Sequence, residues 1–181
     1  MSLSKEDWIK AGFRALSRGG PAAVKVEVIA RDLGSTKGSF YWHFRDQAAL
    51  KAAMLELWKS KATDDVITSL MNVVTDAAKI EALVAAATEA PDDTFGGPEI
   101  EAAKRDWGRY DAGVRAAIDG IDAKRLDFVT SLFVGLSLER KDAETRAALI
   151  CSAYVGLLHR GALSNPIRGQ GLSDFARLLI P

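Results

Sequence analysis

The sequence contains only one cysteine, Cys151, and two histidines among its 181 residues. A single cysteine excludes an intramolecular disulfide framework. So few cysteines and histidines also leave no ligand set for a structural zinc ion, and we expect neither a metal nor a cofactor. A chain of this length can bury a sufficient hydrophobic core without disulfides or metal.

Long apolar runs and a net charge are also missing. No stretch approaches the roughly 18 apolar residues of a membrane-spanning helix, and the N-terminus lacks the basic and then apolar layout of a signal peptide. We therefore expect a cytoplasmic protein with no membrane partner. The 24 basic residues balance 24 acidic ones, so no overall positive field attracts nucleic acid. Residues 1–50 nevertheless carry eight basic and five acidic side chains, which makes this end of the chain basic.

The motifs of common enzyme classes are absent as well. The sequence has no Gly-rich phosphate loop, no His-Glu-x-x-His motif and no nucleophile elbow. Cys151 and His159 stand eight residues apart on one predicted helix, which is two turns and too far for their side chains to touch. The acidic pairs at 92–93 and at 99 and 101 look like solvated surface. We therefore predict that the protein is not an enzyme.

Apolar residues recur at helical spacing along nearly the whole chain, and no stretch alternates as a half-buried strand would. These patterns predict an all-α fold. Ser4 and Asp7 have capping-box spacing at the start of a first helix, which ends at Gly19-Gly20-Pro21. A short second helix carries Val26 to Leu33 and ends at Gly34, a residue suited to the left-handed conformation.

A third and a fourth helix follow this glycine. Either Ser35 or Thr36 can cap the third helix, which runs to about Trp42, and Asp46 can cap the fourth. Two short helices that meet at a glycine turn form a helix-turn-helix. The large side chains of Phe40, Phe44 and Trp8 are expected in its core. Helical periodicity continues beyond residue 60 and predicts a second bundle with breaks at 91–93, 96–98 and 164–171.

A signature of fixed residue types lies within residues 24–50. It consists of Ile29-Ala30, Leu33-Gly34, the unbroken run Thr36-Lys37-Gly38-Ser39-Phe40-Tyr41-Trp42-His43-Phe44, and Leu50 after a short gap. With this signature ahead of an all-helical remainder, the chain resembles the TetR family of transcriptional regulators. The resemblance covers residues 4–58, and beyond them only the number and length of the helices are similar.

The resemblance implies a helix-turn-helix DNA-binding domain over residues 1–46 and a helical bundle over residues 47–181 for ligand binding and dimerisation. It implies a homodimer that binds double-stranded, pseudo-palindromic operator DNA as a repressor. A small-molecule effector of unknown identity would release the DNA. The alternative is a helical small-molecule-binding or interaction protein whose helix-turn-helix no longer reads DNA.

The start of the third helix presents small polar and basic side chains, as a recognition helix does where it approaches base edges. By resemblance, Tyr41 and His43 contact the DNA backbone. Trp42 can either pack against the neighbouring helix or contact DNA. The predicted DNA contacts are Lys25, Ser35, Thr36, Lys37, Gly38, Ser39, Tyr41, Trp42, His43 and Arg45.

Two positions depart from the family pattern. Lys25 replaces the usual threonine, so this residue can reach a phosphate but cannot cap the second helix. Gln47 stands where the family often has a lysine, which removes one phosphate anchor. The basic row Lys10, Arg14 and Arg18 on the first helix is either a solvated face or a set of backbone contacts.

The C-terminal bundle carries the residues expected at an effector pocket and at a dimer interface. The aromatic and aliphatic pocket residues are either pocket wall or core: Met71, Trp107, Tyr110, Phe128, Leu132 and Tyr154. The predicted interface combines a stripe of small residues with the apolar residues of the last helix: Ala148, Ser152, Gly156, Phe175, Leu178 and Leu179. The small stripe could instead pack within one subunit.

Overall fold

The computed structural model describes residues 3–88, 93–160 and 166–181, and every regular element in these ranges is helical. The prediction of an all-α fold is confirmed. Single turns of 3-10 helix cover Pro21–Ala23, Asp93–Phe95 and Gly97–Glu99, and a π-helical turn covers Ser60–Asp64. The α-helices are α1 (Lys5–Gly19), α2 (Val26–Asp32), α3 (Lys37–His43), α4 (Gln47–Lys59), α5 (Asp65–Ser69), α6 (Asp76–Thr88), α7 (Ile100–Trp107), α8 (Ala112–Gly135), α9 (Arg140–His159) and α10 (Pro166–Leu179).

Local signals in the sequence set the ends of the first helices as predicted. The Ser4 hydroxyl accepts a hydrogen bond from the backbone N–H of Asp7, and the Asp7 carboxylate accepts one from the backbone N–H of Ser4. Gly34 follows α2 with a φ of 59°, a left-handed conformation that costs other residues about 1 kcal/mol. The Asp46 carboxylate accepts the N–H of Ala49 at 2.7 Å and caps α4.

The chain divides into two compact units. The N-terminal unit contains Met1–Lys59 and Pro91–Ala117, and the C-terminal unit contains Ser60–Ala90 and Ile118–Pro181. The compact unit that holds α2 and α3 therefore also holds α4 and α7. The functional division at residues 46 and 47 stays a prediction.

Aromatic rings form the centre of the N-terminal unit. Trp8 and Phe40 are fully buried, and their rings meet edge to face with centroids 5.4 Å apart. Phe44 is 4% exposed and stacks on Phe40 at 5.5 Å. Leu50 and Met54 from α4 complete this core and are also fully buried. The expected core positions of Trp8, Phe40 and Phe44 are thus observed.

The segment 93–107 packs against α1 through a buried lysine. Lys104 on α7 is 4% exposed, and its Nζ lies 4.5 Å from the ring centroid of Trp58 and 5.8 Å from that of Phe13. Glu101 forms an ion pair with this ammonium group, and its side chain is only 13% exposed. A buried ammonium group needs such a counter-charge and benefits from aromatic faces. The expectation of a solvated acidic pair is therefore wrong for Glu101.

The C-terminal unit has a core of its own, built from α6, α8, α9 and α10. Its buried members are Ile80, Val84, Val129, Leu132, Phe133, Ala143, Ala147, Ile150, Leu172 and Ala176. The break expected over 164–171 is wrong from Pro166 onward, because α10 begins there. Proline suits the first position of a helix, where its missing N–H needs no partner. Ser164, Asn165, Pro91 and Asp92 lie outside the described residues.

Asp32, the last residue of α2, ties this helix to α1. Its carboxylate accepts hydrogen bonds from Arg14 Nη2 at 2.7 Å and from Arg18 Nη1 at 2.9 Å. Burial acts to raise the pKa of Asp32, but the hydrogen bonds and charges of the two arginines outweigh it and hold this pKa below its ordinary value. Lys10 pairs with Glu6 at 2.8 Å. The basic row of α1 is therefore largely engaged in ion pairs within the unit.

Replacing the carboxylate in Asp32→Asn should lower the free energy of unfolding by about 1 kcal/mol at pH 7, because the arginines lose charge-assisted hydrogen bonds. Since the folded-state pKa is depressed, this stabilisation is present above the unfolded-state pKa of ~3.9 and is lost as the pH falls through the folded-state value. Urea denaturation of both proteins at pH 7 and at lower pH measures the difference, with Asp127→Asn on α8 as the control. A difference that stays constant down to pH 3 would contradict this role.

Candidate nucleic-acid interface

α2 and α3 form a helix-turn-helix around the left-handed Gly34. The N–H of Ser35 donates to the carbonyl oxygen of Ala30 at 2.8 Å, which closes the end of α2 in the manner of a Schellman motif. Thr36 rather than Ser35 caps α3, because its hydroxyl accepts the backbone N–H of Ser39 at 3.2 Å. Of the two capping residues that the sequence allowed, the structure uses Thr36.

Burial of one aromatic side chain orients α3. Phe40 is fully buried, whereas Lys37, Gly38 and Tyr41 lie on the exposed side of the same helix. Tyr41 is 58% exposed, although its ring edge meets the ring of Phe40. The helix therefore presents an ammonium group, open backbone and a phenol to solvent.

Trp42 is 90% exposed, more than any other tryptophan of the chain. The structure thus gives no support to packing of this indole against a neighbouring helix and leaves it available to a partner. His43 is half-buried, and its ring centroid lies 6.4 Å from that of Trp8. One edge of this imidazole therefore packs inside the N-terminal unit.

Gly38 is not required by packing within the chain. A Cβ atom at this position would meet only the Thr36 hydroxyl oxygen, at the ordinary contact distance of 3.6 Å. A glycine in the interior of a helix costs about 1 kcal/mol relative to alanine. The space at the exposed start of α3 is consistent with close approach of another molecule to the backbone.

Lys37 does not point freely into solvent, because its Nζ lies 2.5 Å from Oε1 of Glu27 on α2. The hydrogen bond from Lys37 lowers the pKa of Glu27 below its ordinary value. Both side chains remain about half exposed. Glu27 was not among the predicted contacts. Its negative charge near the start of α2, opposite in sign to that of Lys37, is the sequence signal that could have identified it.

The two departures from the family pattern have structural counterparts. Lys25 precedes α2 at the N-cap position, and its side chain makes no capping hydrogen bond. Gln47 donates from Nε2 to the carbonyl oxygen of Val24, so it holds the start of α4 against the start of α2. Arg45 is highly exposed and pairs with Asp46 at 3.1 Å. Lys25 and Arg45 thus remain accessible cations at the edge of the motif.

Two of the six predicted pocket residues lie in the N-terminal unit. Trp107 is 2% exposed, and Lys51 Nζ lies 5.5 Å from its ring centroid. Tyr110 is 84% exposed. Trp107 is therefore a core residue and Tyr110 a surface residue, and no shared cavity wall between them is seen among the described residues.

The other four lie in the C-terminal unit. Leu132 belongs to its core, and the partly buried Phe128 and Tyr154 pack against that core. Arg125 lies 5.6 Å from the ring centroid of Tyr154. Met71 is 75% exposed. The six residues thus do not form one site, although Phe128, Leu132 and Tyr154 share one apolar cluster.

The predicted dimer residues lie on α9 and α10. Ala148, Ser152, Gly156 and Leu178 are exposed, and Phe175 and Leu179 are half-buried. A Cβ atom at Gly156 would have no neighbour within 4 Å. The small stripe therefore faces outward and does not pack within its own subunit.

Cys151, the one cysteine of the sequence, is partly buried. Burial raises the pKa of the Cys151 thiol, which keeps it protonated and weakly nucleophilic at neutral pH. Within the described ranges, no three His, Cys, Asp or Glu side chains are grouped to hold a metal ion. No helix in those ranges is long and apolar enough to cross a bilayer.

The contrast in tryptophan exposure predicts a specific quenching behaviour. Trp8, Trp58 and Trp107 are at most 4% exposed. Acrylamide should therefore quench mainly the fluorescence of Trp42, and Trp42→Phe should remove most of the quencher-accessible emission without loss of helix content. Stern–Volmer plots measure this fraction, with Tyr41→Phe as the control. An accessible component that survives in Trp42→Phe would show that another tryptophan is open to solvent.

Comparison with known proteins agrees with this geometry. Residues 9–54 match the family model of bacterial regulatory proteins of the tetR family. No curated protein sequence matches the chain significantly. The fold is similar to that of a transcriptional regulator from Rhodococcus sp. Rha1, with a TM-score of 0.77, 18% identity, and coverage of 98% of this chain and 94% of that one.

Two further solved structures share the fold. A TetR-family transcriptional regulator from Rhodococcus sp. has a TM-score of 0.75 at 16% identity, with 98% of each chain covered. A transcriptional regulator from Saccharomonospora viridis, in complex with choline, has a TM-score of 0.79 at 15% identity, with 96% of this chain and 95% of that chain covered. These likenesses establish the fold, and the match to the tetR-family model covers residues 9–54, the segment that contains the helix-turn-helix.

Proposed function

We propose that this protein is a transcriptional regulator of the TetR family, a repressor that binds a pseudo-palindromic operator as a homodimer and is released by a small-molecule effector. A protein with this role works in the cytoplasm, where the DNA is. The observation that carries the proposal is the orientation of α3, whose buried Phe40 leaves Tyr41 and Trp42 facing outward, with Lys37 exposed at the first position of the helix. A helix with this presentation suits the major groove of B-DNA.

The exposed residues divide into two roles. Thr36, Lys37 and Gly38 stand at the start of α3, the part of a recognition helix that contacts base edges. Tyr41 and His43 stand one turn later and are assigned to phosphate oxygens. Beside these residues, Lys25, Ser35, Ser39, Trp42 and Arg45 complete the proposed DNA contacts. Phosphate contacts position the protein, whereas base contacts determine the preferred sequence.

The effector is assigned to the C-terminal unit, near Phe128 and Tyr154. Their rings pack against the core of that unit and remain partly accessible. The regulator from Saccharomonospora viridis, which has the same fold, is in complex with choline and so binds a small molecule. An effector can release DNA only if it binds the DNA-incompetent conformation more tightly than the DNA-bound one.

The proposed homodimer uses the outward face of α9 and the exposed end of α10. Small side chains at Ala148, Ser152 and Gly156 allow two helices to approach closely. Leu178 is 82% exposed, an unusual position for a leucine unless another surface covers it. A two-fold dimer would place two copies of α3 on one face of the DNA, about one helical turn or roughly 34 Å apart.

Selection from random duplexes tests the DNA-binding role. Wild-type protein should enrich a two-fold motif at low salt. Tyr41→Phe should weaken binding by a similar factor on every sequence, because a phosphate contact carries no base information. Lys37→Ala should change which sequence is enriched. Anisotropy titrations on the enriched and on scrambled duplexes give the affinities.

Thr36→Ala is a less clean variant, since it also removes the cap of α3. The absence of any enriched two-fold motif would refute the operator proposal. A change of base preference in Tyr41→Phe, with none in Lys37→Ala, would reverse the two roles.

The interface is tested by Gly156→Trp. A Cβ atom at this exposed position has no neighbour within 4 Å, so the variant should fold with unchanged helix content. It should overpack the partner, sediment as a monomer and lose DNA binding, because a single half-site contact is weak. Ala85→Trp, at an exposed position on α6, is the matched control and should stay dimeric. A Gly156→Trp protein that remains dimeric at micromolar concentration would exclude this face.

A further inference from the structure

The ion pair between Glu27 and Lys37 joins the two helices of the motif at its exposed surface. Glu27 is the second residue of α2, Lys37 is the first residue of α3, and 2.5 Å separates Oε1 from Nζ. The two side chains are 52% and 58% exposed. Exposed ion pairs contribute little to stability, so this pair is not needed to hold the motif together.

The pair places a hydrogen-bond donor beside an acceptor. Lys37 offers up to three N–H donors and Glu27 offers only acceptors. Lys37 also lies at the start of the helix whose exposed side carries Tyr41 and Trp42. Each charged group therefore reaches the same surface that the proposed function assigns to DNA.

A G·C base pair has the complementary pattern in the major groove. Guanine presents two adjacent acceptors, N7 and O6, and cytosine presents the N4 amino donor beside them. An A·T pair instead places its single donor between two acceptors and adds the thymine methyl group. A cation beside an anion therefore matches the segregated pattern of G·C better than the alternating pattern of A·T.

We propose that Glu27 and Lys37 together read one G·C base pair in each half-site, with Lys37 donating to guanine O6 or N7 and Glu27 accepting from cytosine N4. This inference rests on the proposed operator binding. The existing contact with Glu27 restrains the long side chain of Lys37 before DNA arrives. The carboxylate also disfavours any site at which it would face a phosphate or a base acceptor without a donor.

Three variants of the full-length protein test this reading. Glu27→Gln and Lys37→Gln each remove one charge, and the double variant Glu27→Lys with Lys37→Glu keeps an ion pair but exchanges donor and acceptor. Glu56→Gln on α4, which breaks an exposed pair with Lys59, is the matched control. Circular dichroism and thermal melts establish that all of them fold.

Wild-type protein should select G·C at one position of each half-site, and substitution of A·T there should weaken its binding about tenfold. Glu27→Gln and Lys37→Gln should both lose this preference at the same position. On random duplex, however, Glu27→Gln should bind more tightly and Lys37→Gln more weakly, because one removes a negative and the other a positive charge. The exchanged double variant should lose G·C preference or turn it to C·G, whereas Glu56→Gln should select as wild type does.

Different results would refute operator binding and the paired reading of one base pair. If wild-type protein enriches no two-fold motif, the proposed function itself is refuted. If it enriches one, but Glu27→Gln and Lys37→Gln leave base preference unchanged or relax different positions, only the paired reading is refuted. Retention of the G·C preference by the exchanged double variant would show that the ion pair is purely structural.

Discussion

Burial of Phe40 is the constraint on which the nucleic-acid interface depends. α3 has only seven residues, so one large side chain decides its rotation about its own axis. The ring of Phe40 meets Trp8 edge to face and stacks on Phe44, within a core that α1 and α4 complete. With this face buried, helical geometry directs Gly38, Tyr41 and Trp42 away from the core, and Lys37 is exposed at the first position of the helix. Because successive residues of a helix are rotated by about 100°, the buried Phe40 and the exposed Tyr41 and Trp42 point in different directions.

Charge in the N-terminal unit is arranged mainly as local pairs. Arg14 and Arg18 bind Asp32 and connect α1 to α2, while Lys104 lies between aromatic rings with Glu101 as its partner. The electrostatic fields of the two charges in such a pair largely cancel beyond a few ångströms in salt solution. A neutral chain of this kind attracts DNA weakly at long range. In the proposed function, selectivity for DNA therefore comes from short-range contacts at the helix-turn-helix.

In the C-terminal unit, α9 has one face in the core and one face exposed. The inner face of α9 buries Ala143, Ala147 and Ile150 in the unit's core. Its outer face carries Ala148, Ser152 and Gly156, which a single subunit leaves uncovered. Small residues stand on both faces, so their periodicity alone cannot show which stripe packs internally. Exposure in the folded chain distinguishes the two.

The sequence by itself determined the features that depend on a few neighbouring residues. The capping box at Ser4, the left-handed Gly34 and the cap of α4 by Asp46 are local, because their hydrogen bonds and dihedral angles involve residues at most a few positions apart. The all-α fold and the helix-turn-helix followed from periodicity for the same reason. The resemblance to the TetR family rested on a short signature within residues 29–50, and the family model matches over the same part of the chain.

Only the tertiary structure decided the features that depend on contacts between distant segments. The sequence left Trp107 as either pocket wall or core, and the structure buries it in the unit that holds α3, because residues 91–117 belong to that unit. Glu101 was expected in solvent, but Lys104 and the rings of Phe13 and Trp58 enclose the ion pair. The exposure of Trp42 and the ion pair between Glu27 and Lys37 depend on how α3 packs against α2. Periodicity identifies which residues are apolar and where helices run, but burial depends on which helices meet, and that is set by the free energy of packing the whole unit.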